Sequence, residues 1–178
     1  MNAAAERLLL VEGESDRVAL EATAAVLGVD LAATGVVIRP MGGITNLGHH
    51  LPRTDPAARV ALLHDIGEAS YVRRTVARFP DRALPCFACD RDLEDELVRA
   101  HGGVRGALAV VEAAGDLPKW EILTGQPFHR ERDEVDVLRR FWGTTSGRKE
   151  RYALLLVEGL APARVPAVLR DALATVTG

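Results

Sequence analysis

The sequence predicts an α/β fold, a mainly parallel four-stranded sheet flanked by helices and followed by a helical extension. Three observations predict it. Up to about residue 100, short apolar runs rich in Leu, Val and Ile alternate with segments of helical period, the pattern of right-handed βαβ crossovers. Beyond His101 the strand signals fade and only helical patterns remain. Acidic residues stand directly after the apolar runs, at the edge where an open α/β sheet binds its ligands.

Each element has its own signal. Arg7 to Val11 reads as a buried strand, and Ser15 to Leu27 as a helix with apolar Val18, Leu20, Ala24 and Leu27, stopped by Gly28. Gly35 to Pro40 is a second strand around β-branched Val36-Val37-Ile38. Gly42-Gly43 turns the chain into a short helix from Ile44 to Leu51. Arg59 to Leu63 is a third strand, ending at His64-Asp65, and Glu68 to Phe79 a third helix. Leu84 to Cys89 is a fourth strand, ending at Asp90, and Asp92 to Ala100 an acidic helix. Val104 to Ala114, Asp133 to Trp142, Lys149 to Leu160 and Val165 to Thr175 read as further helices. The expected division is an α/β core over residues 1–103 and a helical extension over residues 104–178, packed on it.

Composition narrows the class. The chain has 178 residues, 48% of them hydrophobic and 26% charged, as in a soluble globular protein long enough to bury a core. A net charge of −3 argues against nonspecific coating of nucleic acid, though not against an enzyme whose acids gather round metal ions. Two cysteines make no disulfide framework, which fits a reducing cytosol and a cytoplasmic location. No basic-then-apolar leader and no apolar run of about 18 residues is present, so neither secretion nor a membrane span is expected.

The acids carry the chemistry. Glu12 follows the first strand, Asp65 the third, and Asp90 and Asp92 the fourth. Parallel strands bring these ends to one edge of the sheet, where converging carboxylates repel unless a cation neutralises them. Oxygen-only ligands suit hard ions such as Mg²⁺ or Mn²⁺. The plainer role of any single acid after a strand is a helix N-cap, open here to Ser15, Asp16 and Asp92.

Val11-Glu12-Gly13-Glu14-Ser15-Asp16, then Met41-Gly42-Gly43, then Leu63-His64-Asp65 resembles the TOPRIM domain, the metal-binding fold shared by topoisomerases, primases and certain nucleases. The details are most similar to the OLD (overcoming lysogenization defect) nuclease branch. They are the Glu-Gly-x-x-Asp spacing, Pro40-Met41-Gly42-Gly43, Asp92-Leu93-Glu94-Asp95-Glu96-Leu97, and Thr144-Thr145-Ser146-Gly147-Arg148-Lys149 before a final helical pair. The resemblance implies a divalent-metal-dependent nuclease with two Mg²⁺ or Mn²⁺ ions and nucleic acid, DNA in preference to RNA, as substrate. It implies Glu12 as metal ligand and general base, Asp16, Asp65, Asp92 and Glu94 as further metal ligands, and Lys149 close to the scissile phosphate. Gly42, Gly43 and Arg148 are the expected phosphate contacts. One departure stands out: Asp65-Ile66-Gly67 has glycine where the family's second aspartate belongs, with Glu68 one residue further on. No G-x-x-x-x-G-K-[ST] loop is present, so the expectation is a stand-alone TOPRIM protein, with any ATPase a separate partner and a homodimer the implied assembly. The alternatives are a catalytically weak TOPRIM-fold module that binds nucleic acid or regulates, and a nucleotidyl transferase.

Other motifs have bland readings. Cys86 and Cys89, three apart on a strand, point to opposite faces and read as core cysteines. His49, His50 and His64 read as surface or supporting residues, and Trp120 and Trp142 as packing. Arg148, Lys149 and Arg151, like Arg73, Arg74 and Arg78, form basic groups suited to phosphate or simply to solvent.

Overall fold

A computed structural model describes residues 6–129 and 132–178. Its centre is a sheet of four parallel strands, β1 (Arg7–Val11), β2 (Val36–Pro40), β3 (Arg59–Asp65) and β4 (Cys86–Cys89), in the order β2-β1-β3-β4. Around it lie α1 (Glu14–Val26), α2 (Leu31–Thr34), α3 (Leu47–His50), α4 (Ala69–Val76), α5 (Leu93–Ala100), α6 (Val104–Ala113), α7 (Leu117–Thr124), α8 (Glu134–Gly143), α9 (Arg148–Glu158) and α10 (Ala167–Thr177). The sheet therefore agrees with the expected α/β class. β3 runs two residues further than Leu63 and pairs Asp65 with Cys89, while α2 and α7 carry no period strong enough to be foreseen.

The pleat sorts the strand residues between two cores. Leu9, Val11, Ala61 and Leu63 face one side; Leu8, Leu10, Val60 and Leu62 face the other. The second side is covered by a small cluster in which Leu47 of α3 and Val72 of α4 close over Leu8 and Leu10. The first side is larger: α1 packs on α9, α10 lies across β1, β3 and β4, and one apolar cluster runs from Leu9 to Val176. The buried Leu8, Leu9, Leu10 and Val11 have no exposed surface at all, at a gain of about 1.5–3 kcal/mol for each side chain.

Beneath the larger face, Trp142 stacks on Tyr152 with centroids 5.8 Å apart, and Trp120 meets Phe141 edge-on at 5.8 Å, so both tryptophans serve as packing. The Tyr152 hydroxyl donates to Asp116 Oδ2 at 2.9 Å, Arg151 Nη1 donates to the same oxygen at 2.7 Å, and Lys119 Nζ donates to Oδ1 at 2.6 Å. Asp116 is only 2% exposed, and these partners, Lys119 first, hold its carboxyl down at about 2 against the opposing effect of burial. Cys89 is buried as expected, but Cys86 is exposed because β4 forms the edge of the sheet.

Candidate functional site

The chain travels from β1 outward to β2, then back past β1 to β3 and β4, so its direction reverses between β1 and β3. That reversal opens a crevice at the carboxyl ends of the two central strands. A cavity of about 330 Å³ lies there, lined by Glu12, Asp16, Gly42, Gly43, Asp65, Glu94, Lys149 and Glu150 among others. Five widely separated segments thus come together in one place.

Local structure fixes several of them. Met41 N donates to Val11 O and Gly43 N to Glu12 O, both at 2.9 Å, so the turn after β2 is laced to the end of β1. Gly43 has φ 115° and Gly42 φ 72°, backbone that side-chain-bearing residues seldom adopt. Asp16, in the first turn of α1, accepts the Gly13 amide at Oδ2 at 2.8 Å, a bond that caps the helix while its carboxylate faces the cavity. Asp65 closes β3. Glu94 lies in the first turn of α5, buried, with Oε1 3.0 Å from Lys149 Nζ.

The acids raise one another's proton affinity. Burial, followed by the charges of Asp16, Asp92, Glu12 and Glu94, pushes Asp65 up to about 7. Burial pushes Asp16 up to about 6, with Glu94 and Glu12 adding and the Gly13 amide and Lys149 opposing. For Lys149 burial acts to lower the value, but Glu94, Asp16 and Asp65 outweigh it and leave the ammonium's pKa raised.

Two expected site residues do not line the cavity. Asp92 is buried as the N-cap of α5, accepting from Asp95 N at 2.9 Å and ion-paired with Arg139 of α8, although its charge still reaches Asp65. Arg148 donates to Phe141 O at 3.1 Å and lies over the Phe141 ring, which turns it away from a phosphate role in this arrangement. The basic run therefore splits three ways: Arg148 onto Phe141, Arg151 onto Asp116, and Lys149 into the cavity. Glu68 is not among the lining residues, and the space beside Gly67 is open.

Glu150 is a lining residue that sequence reading missed. Its Oε2 is buried without a hydrogen-bond partner, although nothing but its place next to Lys149 in the sequence could have signalled it. An unpartnered buried carboxylate oxygen beside mutually repelling acids suits a hard cation, as does the all-oxygen donor set. As placed, no three acidic, histidine or cysteine side chains among the described residues converge closely enough to form a ready-made cage for one ion.

A parallel sheet in this order, with acids ending its central strands and a glycine turn after the flanking one, defines a TOPRIM-type fold. Residues 5–53 match the family described as overcoming lysogenization defect protein-like, TOPRIM domain. The whole chain is similar in structure to the C-terminal region of the Burkholderia pseudomallei OLD protein, with TM-score 0.66 and 22% identity over 98% of each chain. It is also similar to the C-terminal region of the Xanthomonas campestris pv. campestris OLD protein, with TM-score 0.65 and 20% identity over 97% of this chain and 92% of that one. No curated protein is a significant match. Among the described residues no helix is long and apolar enough to cross a membrane.

Proposed function

We propose that the chain is a divalent-metal-dependent nuclease that hydrolyses phosphodiester bonds, with DNA as its substrate. The observation that carries this reading is the meeting of Glu12, Asp16, Asp65 and Glu94, from four separate elements, around one cavity with Lys149 and the Gly42-Gly43 turn. Glu12, Asp16 and Asp65 hold Mg²⁺ or Mn²⁺. When bound, such an ion polarises the phosphoryl oxygen and makes water a nucleophile near neutral pH.

The protein's own groups do the rest. Glu12, at the mouth of the β1 crevice, accepts the proton of the attacking water. The two glycines present backbone without a Cβ, so a phosphate approaches the turn closely. Lys149 neutralises charge that builds on the phosphoryl oxygens in the transition state. Asp16 and Asp65, whose carboxyls bind protons readily in the absence of a cation, give up those protons as an ion loads.

Supercoiled plasmid incubated with the protein and Mg²⁺ or Mn²⁺ tests the reading. Metal-dependent nicking is expected, lowered by at least about a hundredfold in Glu12→Gln. No nicking above the Glu12→Gln background would overturn it. That result would favour the second reading, a nucleic-acid-binding module, for which Gly67 in the place of the second aspartate is the supporting observation.

A further inference from the structure

The acids at the carboxyl edge of the sheet fall into two groups by the company they keep. Asp92 and Glu94, two positions apart across the start of α5, are each met by a cation of the chain itself. The Arg139 guanidinium, carried by α8, pairs with Asp92, and Lys149 Nζ, carried by α9, lies 3.0 Å from Glu94. Asp92 is also committed to the helix, since its Oδ1 accepts from Asp95 N. Glu12, Asp16 and Asp65, on β1, α1 and β3, are in no ion pair among the described residues, and Asp16 is bound only by a backbone amide.

The two groups therefore differ in what an incoming ion gains. At Glu12, Asp16 and Asp65 a divalent cation relieves the repulsion of three carboxylates that no basic side chain pairs with directly, Lys149 reaching Asp16 and Asp65 only through its charge. At Asp92 and Glu94 it must first displace two basic side chains, one of them from an acid only 4% exposed. Each displacement gives up an ion pair already made, the one with Arg139 to an acid withdrawn from water. Gly67 works in the same direction, because the turn after β3 supplies Asp65 and no second acid beside it.

On the metal-dependent reading above, we propose that this chain takes up a single divalent cation with high affinity, at Glu12, Asp16 and Asp65, whose side chains draw closer around it than they stand here. Arg139 and Lys149 are built-in counter-charges that occupy Asp92 and Glu94 and keep a second ion out. Arg139 is in this scheme a positioning residue, acting through Asp92 and the start of α5. Lys149 is available to both the acid and a substrate phosphate, because its side chain is 49% exposed.

Calorimetric titration of the whole protein with Mn²⁺ decides this by stoichiometry, independently of turnover. One high-affinity ion per chain is expected, weakened at least about tenfold by Asp65→Asn. The double variant Arg139→Met with Lys149→Met, checked for an unchanged circular dichroism spectrum, is expected to take up a second. Two ions of comparable affinity in the unaltered protein would overturn the proposal while leaving the metal-dependent reading intact. So would a folded double variant that still binds one. No uptake of Mn²⁺ at all would overturn the metal-dependent reading itself. The stoichiometry of the unaltered protein decides the matter even if the double variant does not fold.

Discussion

Asp116 and Asp65 are both acids withdrawn from water, and the protein treats them in opposite ways. Asp116 has a guanidinium, an ammonium and a phenol directed at it, and its carboxyl sits at about 2. Asp65 has burial and four other carboxylates around it, and its carboxyl sits at about 7. The ordinary value for both is 3.8. A buried charge whose partners come from its own chain holds the fold together. A buried charge surrounded by like charges is held in place by the fold and needs its partner from outside.

The largest effect that tests this contrast is on the structural side. Asp116→Ala removes the acceptor of three donors and is expected to destabilise the protein by about 2–3 kcal/mol, a figure already reduced for the exposure of Lys119 and Arg151. Urea unfolding monitored by circular dichroism measures it, and a loss below a few tenths of a kcal/mol would remove the distinction. On the other side, Asp65→Asn is expected to stabilise the metal-free protein, by about 1 kcal/mol after allowance for solvent screening, because a repelled charge is lost. The same unfolding experiment in the presence of a chelator reads it, and a destabilised variant would show that Asp65 is a structural acid after all.

The smallest effect is on the pH profile. The folded-state values of Asp65 and Asp16 lie above their unfolded value, so between about 4 and 7 the folded protein binds more protons than the unfolded chain. Their contribution to stability is present in full below about 4 and is lost as the pH rises towards 7. Asp116 has the opposite sign, because its folded-state value is depressed. Its contribution is present above about 4 and is lost as the pH falls towards 2. Metal-free protein is therefore expected to melt highest in mildly acid solution, and added Mn²⁺ to flatten the alkaline side of that profile. A melting temperature unchanged between pH 5 and 7.5, with chelator present, would contradict it.

How much of this was legible in the sequence follows from how local each signal is. The four strands were readable because a parallel sheet buried on both faces leaves continuous apolar runs. The convergence of Glu12 and Asp65 was readable because parallel strands end together. α2 is only four residues long, and α7 opens on Leu117-Pro118, so neither offers the periodicity that reveals a helix. Arg148, Lys149 and Arg151 looked like one basic cluster. On a helix adjacent residues point about 100° apart, and each met a different partner. The pairing of Asp116 with Tyr152, and of Asp92 with Arg139, joins segments tens of residues apart, which no local pattern encodes. Cys86 was expected to be buried with Cys89, and it is exposed because the position of β4 at the margin of the sheet is a property of topology.

The hydrogen bond from the Gly13 amide to Asp16 has a consequence beyond capping. The oxygen that secures the opening turn of α1 belongs to a carboxylate that also faces the crevice, and α1 is braced along α9, which carries Lys149. Whatever draws on that oxygen from the crevice loosens or retensions the helix's first amide. An ion drawn to that carboxylate would therefore compete with the helix's own cap, on the element packed against the helix that carries the lysine.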